Sequence, residues 1–295
     1  KPRVLALMDY FERFQNEDGL LEKLDKWVFV EWSAANRFVQ DVNYPTNMLY
    51  AKTLELAGRL YHMDDYSAHA ELIRKKIRDQ AMNGIFFVDH SVRVNGQLEL
   101  QTRNMTEVCQ YYAFFFDVAN PEDDPELFSF LTEELSLENK EALEKVNLHP
   151  CNAFIGNYLR MEILSRHHLH KALLREIENG FIGMANTTGT LWEHTLPTAS
   201  CNHGFASHAG YVLLRDFGGI RRIDQLNRRI DILFTENDLE YCELKLPLGK
   251  DVLALKWEKK NGKIYYELKA PRNYSIRIKN TSGFSLKELW AGDTD

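Results

Sequence analysis

A chain of 295 residues with 44% apolar, 12% aromatic and 27% charged residues has globular composition, which excludes a disordered or low-complexity protein. Its net charge of −7, from 36 basic against 43 acidic residues, comes without a basic stripe, so nucleic acid is not an expected partner. No apolar run approaches the ~18 residues of a bilayer span, since even Tyr111 to Val118 is broken by Asp117, and no membrane partner is expected.

Apolar periodicity near 3.6 predicts eight helices before residue 220. Pro2 to Phe14 carries Val4, Leu5, Met8, Phe11 and Phe14 on one face, and Pro45 opens a second helix with Met48, Leu49, Leu56 and Leu60 as expected core. Ser67 to Met82 forms a third that stops at Asn83-Gly84, followed by a hairpin of Ile85 to Asp89 and Val92 to Leu100 around Asn95-Gly96. Further helices start at Asn104, Pro125, Asn152, Leu169 and Gly204, the last ending at Gly218-Gly219. From Ile220 the period becomes 2, with strands expected at Arg229 to Phe234, Leu239 to Leu246, Val252 to Glu258, Lys263 to Leu268 and Tyr274 to Ile278. The expected class is therefore mainly α, with a helical domain over 1–219 and a small antiparallel β-sandwich over 220–295. No fixed repeat marks a solenoid, and a ring of helical hairpins whose loops build a pocket at one end fits better.

The chemistry is concentrated in the loops. The stretch Asn186 to Gly204 is too polar for core and too rich in Trp, His and Glu for a linker. There Glu193 follows Trp192, and Asn202-His203 comes shortly before a helix; a carboxylate beside an indole, with amide and imidazole for hydroxyls, suits glycoside chemistry. The bland alternative is a solvated carboxylate beside a core Trp. Trp32, Asp41, Asn43 and Tyr44 in the loop before Pro45 are candidates for the same pocket, although Asn43 and Asp41 also suit helix capping. Glu107 three residues after Asn104 reads first as a capping box, and otherwise points with Gln110 and Tyr111 into the pocket. Asn152 carries the same ambiguity of cap or ligand. His167, His168 and His170 are expected in a solvated helix junction, Phe114 to Phe116 in the core, and Cys109, Cys151, Cys201 and Cys242 as structural thiols. Neither a metal nor any other cofactor is expected, because no metal-ligand spacing and no glycine-rich phosphate loop occurs.

Phe29-Val-Glu-Trp-Ser33, Gln40 to Tyr50, Thr106 to Phe114, Asn152 to Arg160, Gly189-Thr-Leu-Trp-Glu-His194 and Cys201-Asn-His-Gly-Phe-Ala206 together resemble the bacterial α-L-rhamnosidases of the six-hairpin glycosidase type. The resemblance implies an α/α barrel of six helical hairpins, a β-sandwich after it, and inverting hydrolysis of a terminal α-L-rhamnoside. It makes Glu193 the general base and His203 a sugar contact; the chemistry of the loops themselves adds Trp32, Asp41, Asn43, Tyr44, Glu107, Tyr111, Asn152, Trp192 and Asn202 as candidates around the sugar. Thr195 stands where many members carry a second Trp, and Glu31 where many carry Asp. The family's general acid lies in an acidic stretch with no counterpart before Phe29, and eight helices fall short of six hairpins, so the reading expects the C-terminal portion of a longer enzyme, with bared helix faces that make it a homo-oligomer or a poorly soluble fragment. The alternatives are another six-hairpin exo-glycosidase, a polysaccharide lyase using Tyr111 with Arg103, or a carbohydrate-binding protein without catalysis.

Overall fold

The computed structural model describes residues 1–137 and 139–289. The chain divides into two compact units, one of residues 1–163 with 192–203, the other of 164–191 with 204–295.

In the first unit, α1 (Pro2–Glu12) presents buried Met8, with Phe11 and Phe14 packed against the core. The short strand β1 (Val42–Asn43) leads into α2 (Tyr44–Tyr61), which turns at left-handed His62 and returns as α3 (Asp64–Ala81). The buried face of α2 is Tyr44, Asn47, Met48, Tyr50, Ala51, Leu54, Ala57 and Gly58. Of the expected core residues only Met48 lies there; Leu49, Leu56 and Leu60 are 46%, 50% and 67% exposed. The helix buries its small and aromatic residues, because alanine and glycine let α3 approach closely, and it turns those leucines outward.

Past α3, β2 (Met82–Asn83) pairs with β3 (Phe86–Phe87), and β4 (His90–Val94) with β5 (Gln97–Leu100) across Asn95-Gly96. Both turn residues have positive φ, 49° and 83°, the conformation that two-residue hairpins demand. The expected hairpin exists, but its first strand starts at His90, while residues 85–87 fold back on the end of α3. Then come α4 (Glu107–Phe115), α5 (Pro125–Ser129), the short α6 (Glu141–Lys145), which sequence periodicity did not reveal, and α7 (Tyr158–Arg166). Phe114 is buried as expected, whereas Phe115 and Phe116 are only partly covered.

The second unit holds α8 (His170–Glu176), α9 (Ile182–Thr188), α10 (His208–Val212) and seven strands among its described residues. These strands are β6 (Ile220–Asp224), β7 (Arg229–Phe234), β8 (Tyr241–Leu248), β9 (Asp251–Lys260), β10 (Lys263–Lys269), β11 (Ser275–Asn280) and β12 (Ser285–Glu288). They form two sheets, ordered β12-β10-β9-β8 and β11-β7-β6. Alternation decides which side faces in: Leu253, Leu255 and Trp257 are at most 2% exposed, and they share a core with Ile230, Ile232 and Phe234 of the other sheet. The sandwich is not wholly antiparallel, since β12 runs parallel to β10 and β11 parallel to β7. Those returns cross from one sheet to the other, a topology that alternation cannot reveal. His170, expected in solvent, is buried near Asp216, its Nε2 3.8 Å from the carboxylate that also receives Arg221 and Ser165. Among the described residues no helix is long and apolar enough to cross a membrane.

Candidate active site

The site belongs to the first unit, which gathers residues 192–203 with the loops that precede α2, α4 and α7. Asn152 ties two of these loops together. Its Nδ2 donates to the Trp32 carbonyl at 2.8 Å, while its Oδ1 accepts from Ala153 N at 2.8 Å and from Thr195 N at 2.9 Å. One amide thus caps the helical turn that follows it and fixes the loop carrying Glu193 to the loop carrying Trp32.

Glu193 stands at the rim of this arrangement. Its backbone N–H donates to Ser200 O at 2.9 Å, closing the 193–200 loop on itself. Oε1 faces His203 Nε2 at 3.9 Å, and both side chains are about one-fifth exposed. The preceding Trp192 is 8% exposed, so its indole is a wall of the loop and Glu193 is the group that meets water. Asn202 is exposed beside His203. A carboxylate in contact with water, an imidazole within 4 Å and an indole behind them can orient a water or a sugar hydroxyl.

Behind that rim lies a dry polar layer. Glu107 is 0% exposed, and its carboxylate accepts from Tyr111 Oη and Lys140 Nζ, each at 2.6 Å, and from Cys151 N at 2.9 Å. Burial by itself would raise this carboxyl, but the Lys140 ammonium and the three hydrogen bonds hold it below its ordinary range. The expected capping box is therefore corrected: α4 begins at Glu107, its cap is Thr106, whose hydroxyl accepts from Cys109 N, and Asn104 bonds His90 Nε2 instead. Tyr111 is 1% exposed and donates to Glu107, and burial pushes its phenol well above its usual value. A lyase base would have to be solvent-accessible and readily ionised, and Tyr111 is neither.

Glu31, also fully buried, accepts from Gly156 N at 2.6 Å. Burial pushes its carboxyl up to about 7, and the Glu107 charge adds to that rise, while the Ser33 hydroxyl and nearby backbone amides oppose it. Gly156 is required here, because a Cβ would lie 2.4 Å from Cys151 Cβ and 2.8 Å from Glu31 Oε1. Asp89, again driven by burial, is raised to about 8 even though it accepts from both the N–H and the hydroxyl of Thr106.

The remaining candidates divide by accessibility. Trp32 is 42% exposed and available to a ligand. Asn43 is 4% exposed and fully engaged, accepting from Thr46 N and donating to the carbonyls of Phe38 and Asp89. Tyr44 is 0% exposed, its hydroxyl bonded to Ser91. Asp41, at φ 43°, accepts from Arg93 N at 2.6 Å. These three brace the loop before α2, and the expectation that Asn43 and Tyr44 face a sugar is corrected by their burial. Sequence reasoning missed Lys140, whose setting Glu-Asn-Lys-Glu reads as surface, and Trp27, which is 71% exposed beside Trp32 and signalled only by its aromatic spacing from Phe29 and Trp32. All four cysteines are free, with Cys109 and Cys151 buried. Among the described residues no group of three or more His, Cys, Asp or Glu is arranged to hold a metal.

No family model matches the sequence, and no curated protein matches it. Solved structures do match the fold. A GH78 family rhamnosidase of Bacillus sp. GL1 aligns with 97% of this chain at a TM-score of 0.76 and 17% identity, using 31% of its own length. An α-L-rhamnosidase from Dictyoglumus thermophilum aligns with 93% of this chain at a TM-score of 0.60 and 13% identity, using 31% of its length. A rhamnosidase from Klebsiella oxytoca, solved with rhamnose bound, aligns with 74% at a TM-score of 0.55 and 15% identity, using 42% of its length. The chain therefore has the fold of a part of these rhamnosidases, and spans between about a third and two fifths of the proteins it matches.

Proposed function

We propose that this chain contributes the general-base side of an inverting glycoside hydrolase that removes terminal α-L-rhamnose. Residues 1–219 are read as part of an α/α barrel of helical hairpins, with residues 220–295 as an appended β domain. The observation that carries the proposal is Glu193 at the rim of a loop clamped by Asn152, beside Trp192 and 3.9 Å from His203. The likeness of fold to three rhamnosidases supports it independently.

In an inverting reaction a carboxylate takes a proton from water on the face of the sugar opposite the leaving group. Glu193 is assigned that task, because it is the acidic residue of the loop that is neither sealed in the interior nor saturated with donors. His203 and Asn202 would bond sugar hydroxyls, and Trp32 and Trp192 would pack on the ring and its methyl group. Glu107, Tyr111 and Lys140 would act from behind, holding the Cys151 to Asn152 turn from which Asn152 reaches both loops.

The test is Glu193→Gln in the active enzyme. The amide keeps the shape but cannot accept the proton, so turnover of an aryl α-L-rhamnoside should fall by about 10² to 10⁴ while rhamnose affinity is kept. Unchanged turnover would remove Glu193 from the mechanism.

A further inference from the structure

We propose that Trp27, beside the Trp32 that packs on rhamnose, forms the platform for the next sugar ring, on the leaving-group side of the scissile bond. The inference rests on the reading of Glu193 given above and adds to it the class of substrate, a rhamnose-terminated oligosaccharide.

Trp27 is 71% exposed and Trp32 42%, an unusual outlay of apolar surface for two adjacent indoles. Their ring centroids are 5.8 Å apart at an interplanar angle of 40°. Phe29 stands edge-on to Trp32 at 5.0 Å and tilted against Trp27 at 5.3 Å, so a single ring braces both indoles. Packing within this trio leaves most of the Trp27 indole uncovered by the described residues. The aliphatic face of a pyranose is a suitable cover for such a surface, because its axial C–H groups meet the electron-rich ring face while its hydroxyls stay solvated at the edge. Asp25 and Lys26, with side chains 52% and 82% exposed, supply polar groups next to Trp27 for those hydroxyls.

The position of the platform relative to Glu193 determines which sugar it meets. Asn152 holds the Trp32 carbonyl and Thr195 N–H at once, so the aromatic loop and the Glu193 loop share an anchor. The three indoles differ in exposure, 8% at Trp192, 42% at Trp32 and 71% at Trp27. An enzyme that removes a terminal sugar encloses that sugar and leaves the remainder of the glycan pointing to solvent. The buried end of the series suits rhamnose, and its exposed end suits the next ring.

Calorimetric titration of rhamnose and of a rhamnosyl-glucose disaccharide into the Glu193→Gln protein tests this, since that variant turns the disaccharide over about 10² to 10⁴ times more slowly. The disaccharide should bind about tenfold more tightly than rhamnose, an increment typical of one good aromatic stacking contact. Adding Trp27→Ala should bring the ratio of the two affinities to about one, and Trp27→Phe should restore part of it. If rhamnose binds and the ratio is about one at the outset, or stays near about ten in Trp27→Ala, this inference is overturned and the assignment of Glu193 stands. Binding of neither sugar would overturn the rhamnosidase reading and this inference with it.

Discussion

Replacing Glu31 with glutamine should make the protein more stable at neutral and alkaline pH and leave it nearly unchanged in acid. Glu31 is sealed from solvent and its carboxyl is raised from 4.5 to about 7, chiefly by burial. A raised folded value means that the fold favours the protonated acid. Below about pH 4.5 the group is protonated both folded and unfolded and costs nothing. Between that pH and about 7 the unfolded chain ionises while the folded one holds its proton, so wild-type stability falls as pH rises. At about 1.36 kcal/mol per pH unit, the full loss is about 3 kcal/mol, reached above about pH 7. The glutamine side chain of the variant has no proton to lose, keeps an oxygen for Gly156 N–H and can direct its amide toward the Ser33 hydroxyl. Asp89, also raised by burial, titrates in the same direction in both proteins; the Glu31 charge adds to its rise, so removing that charge favours the variant in the same sense. Urea unfolding followed by tryptophan fluorescence at about pH 5 and about pH 8 measures the difference. Between those two conditions Glu31→Gln should gain about 2 to 3 kcal/mol on wild type. A stability difference that is the same at both pH values would refute the reasoning, because it would mean that Glu31 ionises as readily folded as unfolded.

Other substitutions probe the rim and the layer behind it. His203→Ala should weaken rhamnose binding as well as slow turnover; a loss confined to turnover with a shifted pH profile would make His203 a proton carrier rather than a sugar contact. Lys140→Met strands the Glu107 charge in the interior and should cost about 3 kcal/mol at about pH 7, less at about pH 4 where Glu107 can protonate, and the double variant with Glu107→Gln should recover much of the loss in thermal melts. Gly156→Ala forces a methyl group against Cys151 and Glu31 and should destabilise by about 1 to 3 kcal/mol, seen as a lower urea midpoint.

What the sequence determined by itself was the alternation of helix and strand and the loops that carry chemistry. Period 3.6 and period 2 are local properties, so Val252 to Glu258 announces which residues of β9 face inward, and Asn95-Gly96 announces its turn through residues that tolerate positive φ. The peculiar composition of Asn186 to Gly204 likewise marks Glu193 without any partner in view. Tertiary structure decided the roles within those loops, because burial and pairing depend on residues far away in the chain. Asn104 and Glu107 have capping-box spacing, yet Glu107 is claimed by Cys151 and Lys140, 44 and 33 residues further on, since a buried carboxylate needs a cation and donors more than a helix end needs a second cap. The leucines of α2 illustrate the same limit. Several faces of that helix have helical spacing, and only the approach of α3 selects the one with Ala51, Leu54 and Ala57 for the interior. Asn152 reads as a cap from its place before a helix, and it is one; that the same amide also spans from Trp32 to Thr195 follows from the folding together of segments 120 and 43 residues away from it, which no local pattern encodes.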